Sequence, residues 1–150
     1  MNQPSTGIGG LRLKMDMIKA HKICGGAGEG EAIVYRNEFT FHGDIDPLTG
    51  RFARGHELEG QSISQKVLVF TRGRGSSQGA RKAMETKKAG NAPSAMICIE
   101  ADPITAAGVI MAGIPMVDRL SIDPFEMIET GDFIRVDATR GTVEIKKKSR

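Results

Sequence analysis

The chain has 150 residues, a length that suits one domain with its own hydrophobic core. It has no tryptophan, one tyrosine and a net charge of +3, with four cations among the last five residues, so neither an aromatic platform nor a basic face for nucleic acid is expected. Two distant cysteines, Cys24 and Cys98, and three histidines lack the spacing of an iron–sulfur or four-ligand zinc site, and no apolar run is long enough to span a membrane.

The two ends of the chain are predicted to lie outside the folded domain. Residues 1–10 are rich in Gly, Pro, Ser and Thr and should be flexible, whereas residues 146–150, KKKSR, should form a solvated basic tail. Residues 11–145 then form a single domain. The N-terminal residues contain no apolar core of secretory type, so we expect the protein in the cytoplasm.

Strands and turns are predicted for the first half of the chain. The glycine-rich residues 25–30 lead into a strand rather than a helix, which favours a turn or bulge over a phosphate-binding loop. Strands are expected at residues 31–35 and 39–42, and the dipeptides DP and TG within residues 46–50 indicate a turn after the second strand. Residues 51–65 are polar and are predicted to form a long irregular connection.

Helices alternate with strands in the second half. The continuous apolar run VLVF and the run around Cys98 are typical of strands buried on both faces. Asp102-Pro103 combines a helix cap with proline at the first helical position. The predicted elements are strands at residues 67–70, 94–99 and 115–117, helices at residues 80–89 and 103–111, a helical turn after Asp123-Pro124, and a hairpin over residues 132–145.

This order of elements predicts a mixed α/β domain. A strand-rich segment is followed by a β-α-β-α-β unit and then by a hairpin. Strands joined through helices become parallel neighbours, whereas hairpins give antiparallel ones. We therefore expect a small parallel core with an antiparallel flank.

The segment VLVFTRGRGSSQGARKA, residues 67–83, is the strongest candidate site because it joins a buried strand to a helix. Ligands of α/β sheets tend to bind beyond the carboxyl ends of strands, where a helix N-terminus offers unpaired N–H groups. Gly73 and Gly75 would let the backbone approach a ligand closely. Arg72 and Arg74 would add affinity for a carboxylate or a phosphate.

Two interpretations fit the adjacent serines of this loop. Ser76 or Ser77 could simply cap the helix, since serine is a preferred N-cap. Alternatively, the positive surroundings could favour a serine alkoxide, which could remove a proton from a weakly acidic C–H bond. The two roles are compatible. The segment matches neither a Walker loop nor the G-x-S-x-G elbow of hydrolases.

Several motifs occur together in a fixed order: EGEAIVY, HGDIDPLTGR, HELEGQSISQKVLVF, GRGSSQG and ADPI followed by AG. In this series the chain resembles the small swivel domain of the aconitase X family. The resemblance covers about residues 20–140. It implies the swivelling β/β/α domain of aconitase-like hydro-lyases, working with a large partner subunit.

The resemblance also implies a reaction. A hydroxylated anionic substrate, of the mevalonate 5-phosphate or the cis-3-hydroxy-L-proline type, would lose water at the interface of the two subunits. The large subunit would hold an iron–sulfur cluster or iron centre, and this chain alone would bind no cofactor.

Residue roles follow from aligning GSSQG with the serine segment of aconitases. Ser76 would be the base and Ser77 its neighbour, with Gly73, Gly75 and the first helical N–H groups stabilising the alkoxide. The aconitase motif has arginine after its second serine, where this chain has Gln78. The resemblance therefore implies either that Arg72, Arg74 or Arg81 binds the substrate carboxylate instead, or that the substrate differs from that of aconitase.

Other polar residues have weaker assignments. Asp46 and Thr49 match the family segment Gly-x-x-Asp-Pro-x-Thr-Gly, which would close over the site, although His42, Asp44 and Asp46 together also fit ordinary turn chemistry. His56 stands at a family-like position or on a solvated loop. A different function class also stays open: the same loop could bind an anion without chemistry, or the domain could be purely structural.

Overall fold

The computed structural model describes residues 17–149, and the predicted flexible residues 1–10 lie outside this range. The strands are β1 (Met17–Lys19), β2 (His21–Cys24), β3 (Ala27–Val34), β4 (Ile45–Asp46), β5 (Arg51–Phe52), β6 (Val67–Phe70), β7 (Ala95–Cys98), β8 (Met116–Asp118), β9 (Phe133–Asp137) and β10 (Thr142–Lys146). The helices are α1 (Phe41–Asp44), α2 (Ser77–Lys88), α3 (Pro103–Ala112) and α4 (Pro124–Met127). None of the helices within the described range has the length and apolar character that a membrane crossing requires.

Eight strands form one sheet in the order β1-β10-β9-β3-β6-β7-β8-β2, and β4 pairs with β5 separately. Strands β3, β6, β7 and β8 run parallel, whereas β9, β10 and β1 on one side and β2 on the other are antiparallel to their neighbours. Only Ala20 separates β1 from β2, although these strands occupy opposite edges, so the sheet must curl until its edges meet. The predicted parallel core, antiparallel flank and C-terminal hairpin are confirmed.

Strand β6 is apolar at every position because the sheet is covered on both faces. Val67 and Val69 belong to the hydrophobic cluster inside the curled sheet. Leu68 and Phe70 belong to the cluster on the other face, which includes Ala83 of α2. All four strand residues are fully buried, and each burial contributes about 2 kcal/mol before entropy is subtracted. The serine loop starts directly after this strand, at residue 71.

Part of the glycine-rich segment lies within a strand: Gly28 and Gly30 belong to β3, whereas Gly25 and Gly26 connect β2 to β3. Gly28 and Gly30 fall on one face of β3, two residues apart. A Cβ atom at these positions would come within 2.0 Å of the Ser94 carbonyl oxygen and 2.4 Å of the Gln65 carbonyl oxygen. Gly28 and Gly30 are therefore needed because other backbone segments cross β3 here, and the predicted turn or bulge is corrected to strand at these two positions.

The prediction of a strand at residues 39–42 is wrong. Phe39 makes only an isolated bridge to Gly73, and Thr40 caps the short helix α1 by accepting a hydrogen bond from the His42 N–H at 3.1 Å. A local side-chain hydrogen bond of this kind competes with strand pairing. The change matters because it places Thr40 and Phe41 beside α2.

Three residues of the basic segment, Lys146, Lys147 and Lys148, contact the rest of the domain. β10 continues to Lys146, and the Lys147 Nζ lies 2.6 Å from Asp132 Oδ2. The Lys148 N–H donates to the other oxygen of Asp132 at 2.9 Å. Since Asp132 is fully buried, its charge requires these donors, so Lys147 and Lys148 pack against the domain.

Candidate active site

The serine loop lies at the carboxyl ends of the parallel strands, where α2 and α3 begin side by side. Phe39 pins this loop through two backbone hydrogen bonds: its N–H donates to the Arg72 carbonyl and its carbonyl accepts from the Arg74 N–H, both at 3.0 Å. The loop is therefore held between α1 and the first turn of α3. This is the position in an α/β sheet at which ligands tend to bind.

Ser76 is the N-cap of α2. Its backbone is extended, with φ −146° and ψ 132°, and its Oγ accepts a hydrogen bond from the Gln78 N–H at 3.3 Å. The capping interpretation is thus confirmed. The same N–H would stabilise an alkoxide at Oγ, so the geometry is compatible with both roles that the sequence suggested.

A pocket opens beside Ser76 between α1, α2 and α3. It is a small cavity of about 20 Å³, partly open to solvent, with room for about one water molecule. Its walls are mostly apolar, and Ser76 and Thr105 contribute two of its hydroxyl groups. The lining residues are Phe39, Thr40, Phe41, Ser76, Gly79, Ala80, Ala83, Ile104, Thr105, Gly108 and Val109. Ser76 is partly exposed, so its hydroxyl is not lost in the core.

The positive end of the α2 dipole is not neutralised by an acidic residue in the first turn of the helix. Within residues 17–149 the Ser77 N–H has no protein acceptor. The helix dipole therefore favours an anion here. One carboxylate opposes this tendency: Asp102, the cap of α3, places Oδ2 3.0 Å from the Thr105 nitrogen and leaves Oδ1 buried without a hydrogen-bond partner.

Gly73 packs closely against the first turn of α3. A Cβ atom at Gly73 would lie 1.7 Å from Thr105 Oγ1 and 2.3 Å from Asp102 Oδ1. Any side chain would displace the loop from the helix. Gly75 is less crowded, since its Cβ would lie 3.4 Å from Ile104 Cδ1.

The arginines near the loop differ in their surroundings. Arg72 is exposed and makes no ion pair with any residue in the described range. Arg74 is half-exposed, and its Nη2 donates to Asp44 Oδ1 at 3.3 Å. Arg81 pairs with Glu85 on the surface of α2 at 3.4 Å, and none of the three arginines is among the residues that line the pocket. Arg72 and Arg74 belong to the loop that precedes Ser76, whereas Arg81 lies within α2.

Asp46 is not brought to the serine pocket. Its Oδ1 accepts from the Leu48 N–H at 2.9 Å, which closes its own turn, and its side chain is exposed. The adjacent Pro47 carbonyl accepts from Asn91 Nδ2 at 3.0 Å, and Asn91 follows the C-terminal end of α2. Since Ser76 caps the opposite end of this helix, turn chemistry accounts for Asp46. Thr49 has the same kind of role, accepting from the Arg51 N–H at 3.1 Å.

Sequence reasoning missed a buried polar cluster beneath Arg74. Asp44 is buried, and His56 lies with Nε2 3.7 Å from Asp44 Oδ1. The His56 ring packs between Tyr35 and Phe52, with centroid distances of 4.8 and 4.6 Å, so it is not on a solvated loop. Burial and then the nearby Asp44 carboxylate raise the pKa of Tyr35 above its usual value. The proximity of an Asp and a His in sequence was the only available signal.

The thiols are placed differently from one another. Cys98 is fully buried in β7, as predicted, and burial raises the pKa of its thiol far above the ordinary value. Cys24 is partly exposed in β2, and both thiols are free. Within residues 17–149, no three His, Cys, Asp or Glu side chains are grouped so that they could hold a metal ion.

Comparison with known proteins adds a family to this geometry. The sequence model of the aconitase X swivel domain matches residues 17–145. A protein of Methanocella arvoryzae named phosphomevalonate dehydratase small subunit is 46% identical over 129 residues, which cover 85% of this chain and 98% of the relative. A protein of the same name from Methanococcoides burtonii is 41% identical over 129 residues, covering 85% and 94%.

A solved structure agrees with the fold. The crystal structure of Thermococcus kodakaraensis aconitase X in its holo-form includes a chain that superposes with a TM-score of 0.81 at 43% identity. The match covers 88% of this chain and 99% of that one. The β/β/α swivel fold expected from the motifs is thereby confirmed.

Proposed function

Because the chain belongs to the aconitase X swivel domain family, we propose that it is the small subunit of a hydro-lyase that dehydrates mevalonate 5-phosphate, with Ser76 as the base. The choice of substrate is supported by the name that the curated relatives share. The observation that carries the proposal is the position of Ser76. It caps a helix whose N-terminus has no acidic neighbour in its first turn, and it forms part of an open pocket wall.

The proposed step removes one proton and one hydroxyl from adjacent carbons. Ser76 Oγ, as an alkoxide held by the Gln78 N–H, takes a proton from the carbon next to the substrate carboxylate. The electrons of that C–H bond form the new C=C bond, while the hydroxyl leaves the neighbouring carbon with the electrons of its C–O bond. The leaving hydroxyl becomes water on taking up a proton, and Ser76 returns its own proton to solvent.

The substrate of this reaction carries two anionic groups, a carboxylate and a phosphate. Arg74 and Arg72 supply the cations of the loop, and the Ser77 N–H supplies a free donor at the start of α2. Gln78 stands where the aconitase motif has arginine, so that cation is missing from this loop. A substrate whose second anion is a phosphate could use these other donors instead.

The large subunit is proposed to cover the serine pocket from the α3 side. Ile104 lines the pocket and is 47% exposed, and Ile110 and Met111 extend the exposed apolar surface along α3 at 55% and 64%. An apolar surface of this kind, next to an incomplete pocket, favours a protein partner.

The iron centre or iron–sulfur cluster belongs to that partner, where it would act as a Lewis acid on the departing hydroxyl. Two free thiols fit a reducing compartment such as the cytoplasm.

Reconstitution tests the proposal. The chain is purified with the large subunit from the same organism and assayed on mevalonate 5-phosphate and, in parallel, on cis-3-hydroxy-L-proline. We expect water loss from mevalonate 5-phosphate by the complex and by neither chain alone. Turnover of the hydroxyproline alone would correct the substrate, and an active complex in which Ser76→Ala has no effect would leave only an anion-binding or structural role for the loop.

A further inference from the structure

The buried polar cluster beneath Arg74 has no role in the proposed step, and it touches two parts of the site. We infer that Asp44 is a positioning residue, which orients Arg74 so that its remaining donors can hold an anionic group of the substrate. The inference rests on the proposed function, in which Arg74 is one of the cations that bind the substrate.

Asp44 is rigidly held, whereas Arg74 is not. The Asp44 side chain is 7% exposed, and its Oδ2 accepts from the Thr40 N–H at 3.0 Å. Its carbonyl accepts from the Ala53 N–H at 2.9 Å. The Arg74 side chain is 48% exposed. The carboxylate therefore sets the position of the guanidinium, and not the reverse.

One carboxylate links the pocket wall to the loop. Thr40, whose N–H donates to Asp44, lines the pocket of Ser76. Arg74 stands two residues before Ser76 and donates from Nη2. A guanidinium has five N–H donors, so the single bond to Asp44 leaves four for another anion. Orientation before binding reduces the side-chain freedom that is lost when the anion arrives.

His56 provides a second hydrogen-bond donor close to Asp44. The His56 Nδ1 accepts from the Leu58 N–H at 3.0 Å, so the ring hydrogen must be on Nε2. That nitrogen is buried without a hydrogen-bond partner and lies 3.7 Å from Asp44 Oδ1. The carboxylate would not be left facing an apolar wall if Arg74 were replaced, which makes Arg74 variants interpretable.

A double-mutant cycle in the reconstituted complex tests the inference. The variants Asp44→Asn, Arg74→Ala and their combination are assayed for kcat and KM on mevalonate 5-phosphate. We expect Asp44→Asn to raise KM about tenfold with kcat changed less than about threefold, because orientation and not chemistry is lost. Arg74→Ala should raise KM about 100-fold, and Asp44→Asn should add nothing in that background.

Asp132→Asn is the matched control, since it also removes the charge of a fully buried aspartate but lies in the C-terminal hairpin region. It should lower stability and leave KM unchanged. An unchanged KM for Asp44→Asn, or the same tenfold increase with and without Arg74, would overturn the positioning role while leaving the proposed function intact. A wild-type complex inactive on this substrate would overturn both.

A second variant covers the case in which Asp44→Asn does not fold. Arg74→Lys keeps the charge but lacks the fork that can bind Asp44 and an anion together. We expect its KM to resemble that of Arg74→Ala. A KM equal to that of the wild type would show that charge alone suffices, and it would contradict the inference.

Discussion

The serine loop and the C-terminal hairpin use their polar groups in opposite ways. In the hairpin, Arg135 lies between Glu29 and Glu144, at 2.9 and 3.4 Å, and buried Asp132 receives three donors from the chain itself. At the loop, among residues 17–149, Arg72 has no ion pair and the Ser77 N–H has no acceptor. Polar groups that the fold itself satisfies stabilise it, whereas groups that it leaves open are available to a ligand or a partner.

Among the comparisons between these two regions, the largest expected effect is on assembly. Ile104→Glu places a charge on the exposed apolar surface beside the pocket, and it should weaken binding of the large subunit about 100-fold. Met17→Glu is the matched control on the antiparallel flank, where Met17 is 59% exposed. Titration calorimetry with the large subunit measures both. Equal affinities for the two variants would remove the α3 surface from the proposed interface.

A second prediction concerns how tightly the loop packs on α3. Gly73→Ala should lower the free energy of unfolding by about 2 kcal/mol, because its Cβ would overlap Thr105 Oγ1 and Asp102 Oδ1. Gly75→Ala, where the nearest atom is 3.4 Å away, should change it by less than about 0.5 kcal/mol. Urea denaturation of the isolated chain gives both values. If the two variants proved equally stable, the close approach to α3 would not be needed.

On the hairpin side, Asp132→Asn should cost about 1–2 kcal/mol of stability, because its buried oxygens bind Lys147 and two backbone N–H groups. Asp137→Asn provides the control in the same hairpin. Its side chain is 36% exposed and pairs with Arg140 at 3.8 Å, so the change should stay below about 0.5 kcal/mol. A loss for Asp137→Asn as large as that for Asp132→Asn would contradict this difference in burial.

The smallest expected effect is the pH dependence of the stability that Asp132 contributes. Burial opposes ionisation of Asp132, but its three donors outweigh burial and hold the pKa of this carboxyl below its usual 3.8. A lowered pKa in the folded state stabilises the protein above the unfolded value and loses that contribution as pH falls through the folded value. The stability difference between wild type and Asp132→Asn should be constant from about pH 5 to 7 and narrow below about pH 4. A difference that widened with acid would contradict the assignment.

Local patterns predicted much of the fold and one part of the site. The apolar run of β6, the cap and proline that begin α3, and the capping role of Ser76 are all encoded within a few residues. The packing of Gly73 on Thr105 is not, since it depends on how the loop lies against α3. The pairing of Arg74 with Asp44 joins residues 30 apart in the chain, so no local pattern predicts it.

The edge strands β1 and β2 were also not predicted from the sequence, and the reason is physical. β1 and β2 are short and mostly exposed, so their sequences show little periodicity. The strand predicted at residues 39–42 failed because the Thr40 side chain satisfied a backbone N–H locally and started α1 instead. Where the tertiary fold decides which side chains meet, as at Asp44 and His56, the sequence supplies candidates but not their distances.

The central claim is that the hydroxyl of Ser76 acts as the base in the assembled enzyme. Its most direct test compares Ser76→Ala with Ser62→Ala, because Ser62 Oγ accepts the same kind of local hydrogen bond, from the Ser64 N–H at 3.0 Å, in the segment beside β5. In deuterated water, the reconstituted complex is followed for both dehydration and exchange of the substrate hydrogen next to the carboxylate. Ser76→Ala should lower both rates at least about 1,000-fold while still binding the large subunit, and Ser62→Ala should lower neither. Proton exchange at the wild-type rate in the Ser76→Ala complex would contradict the account.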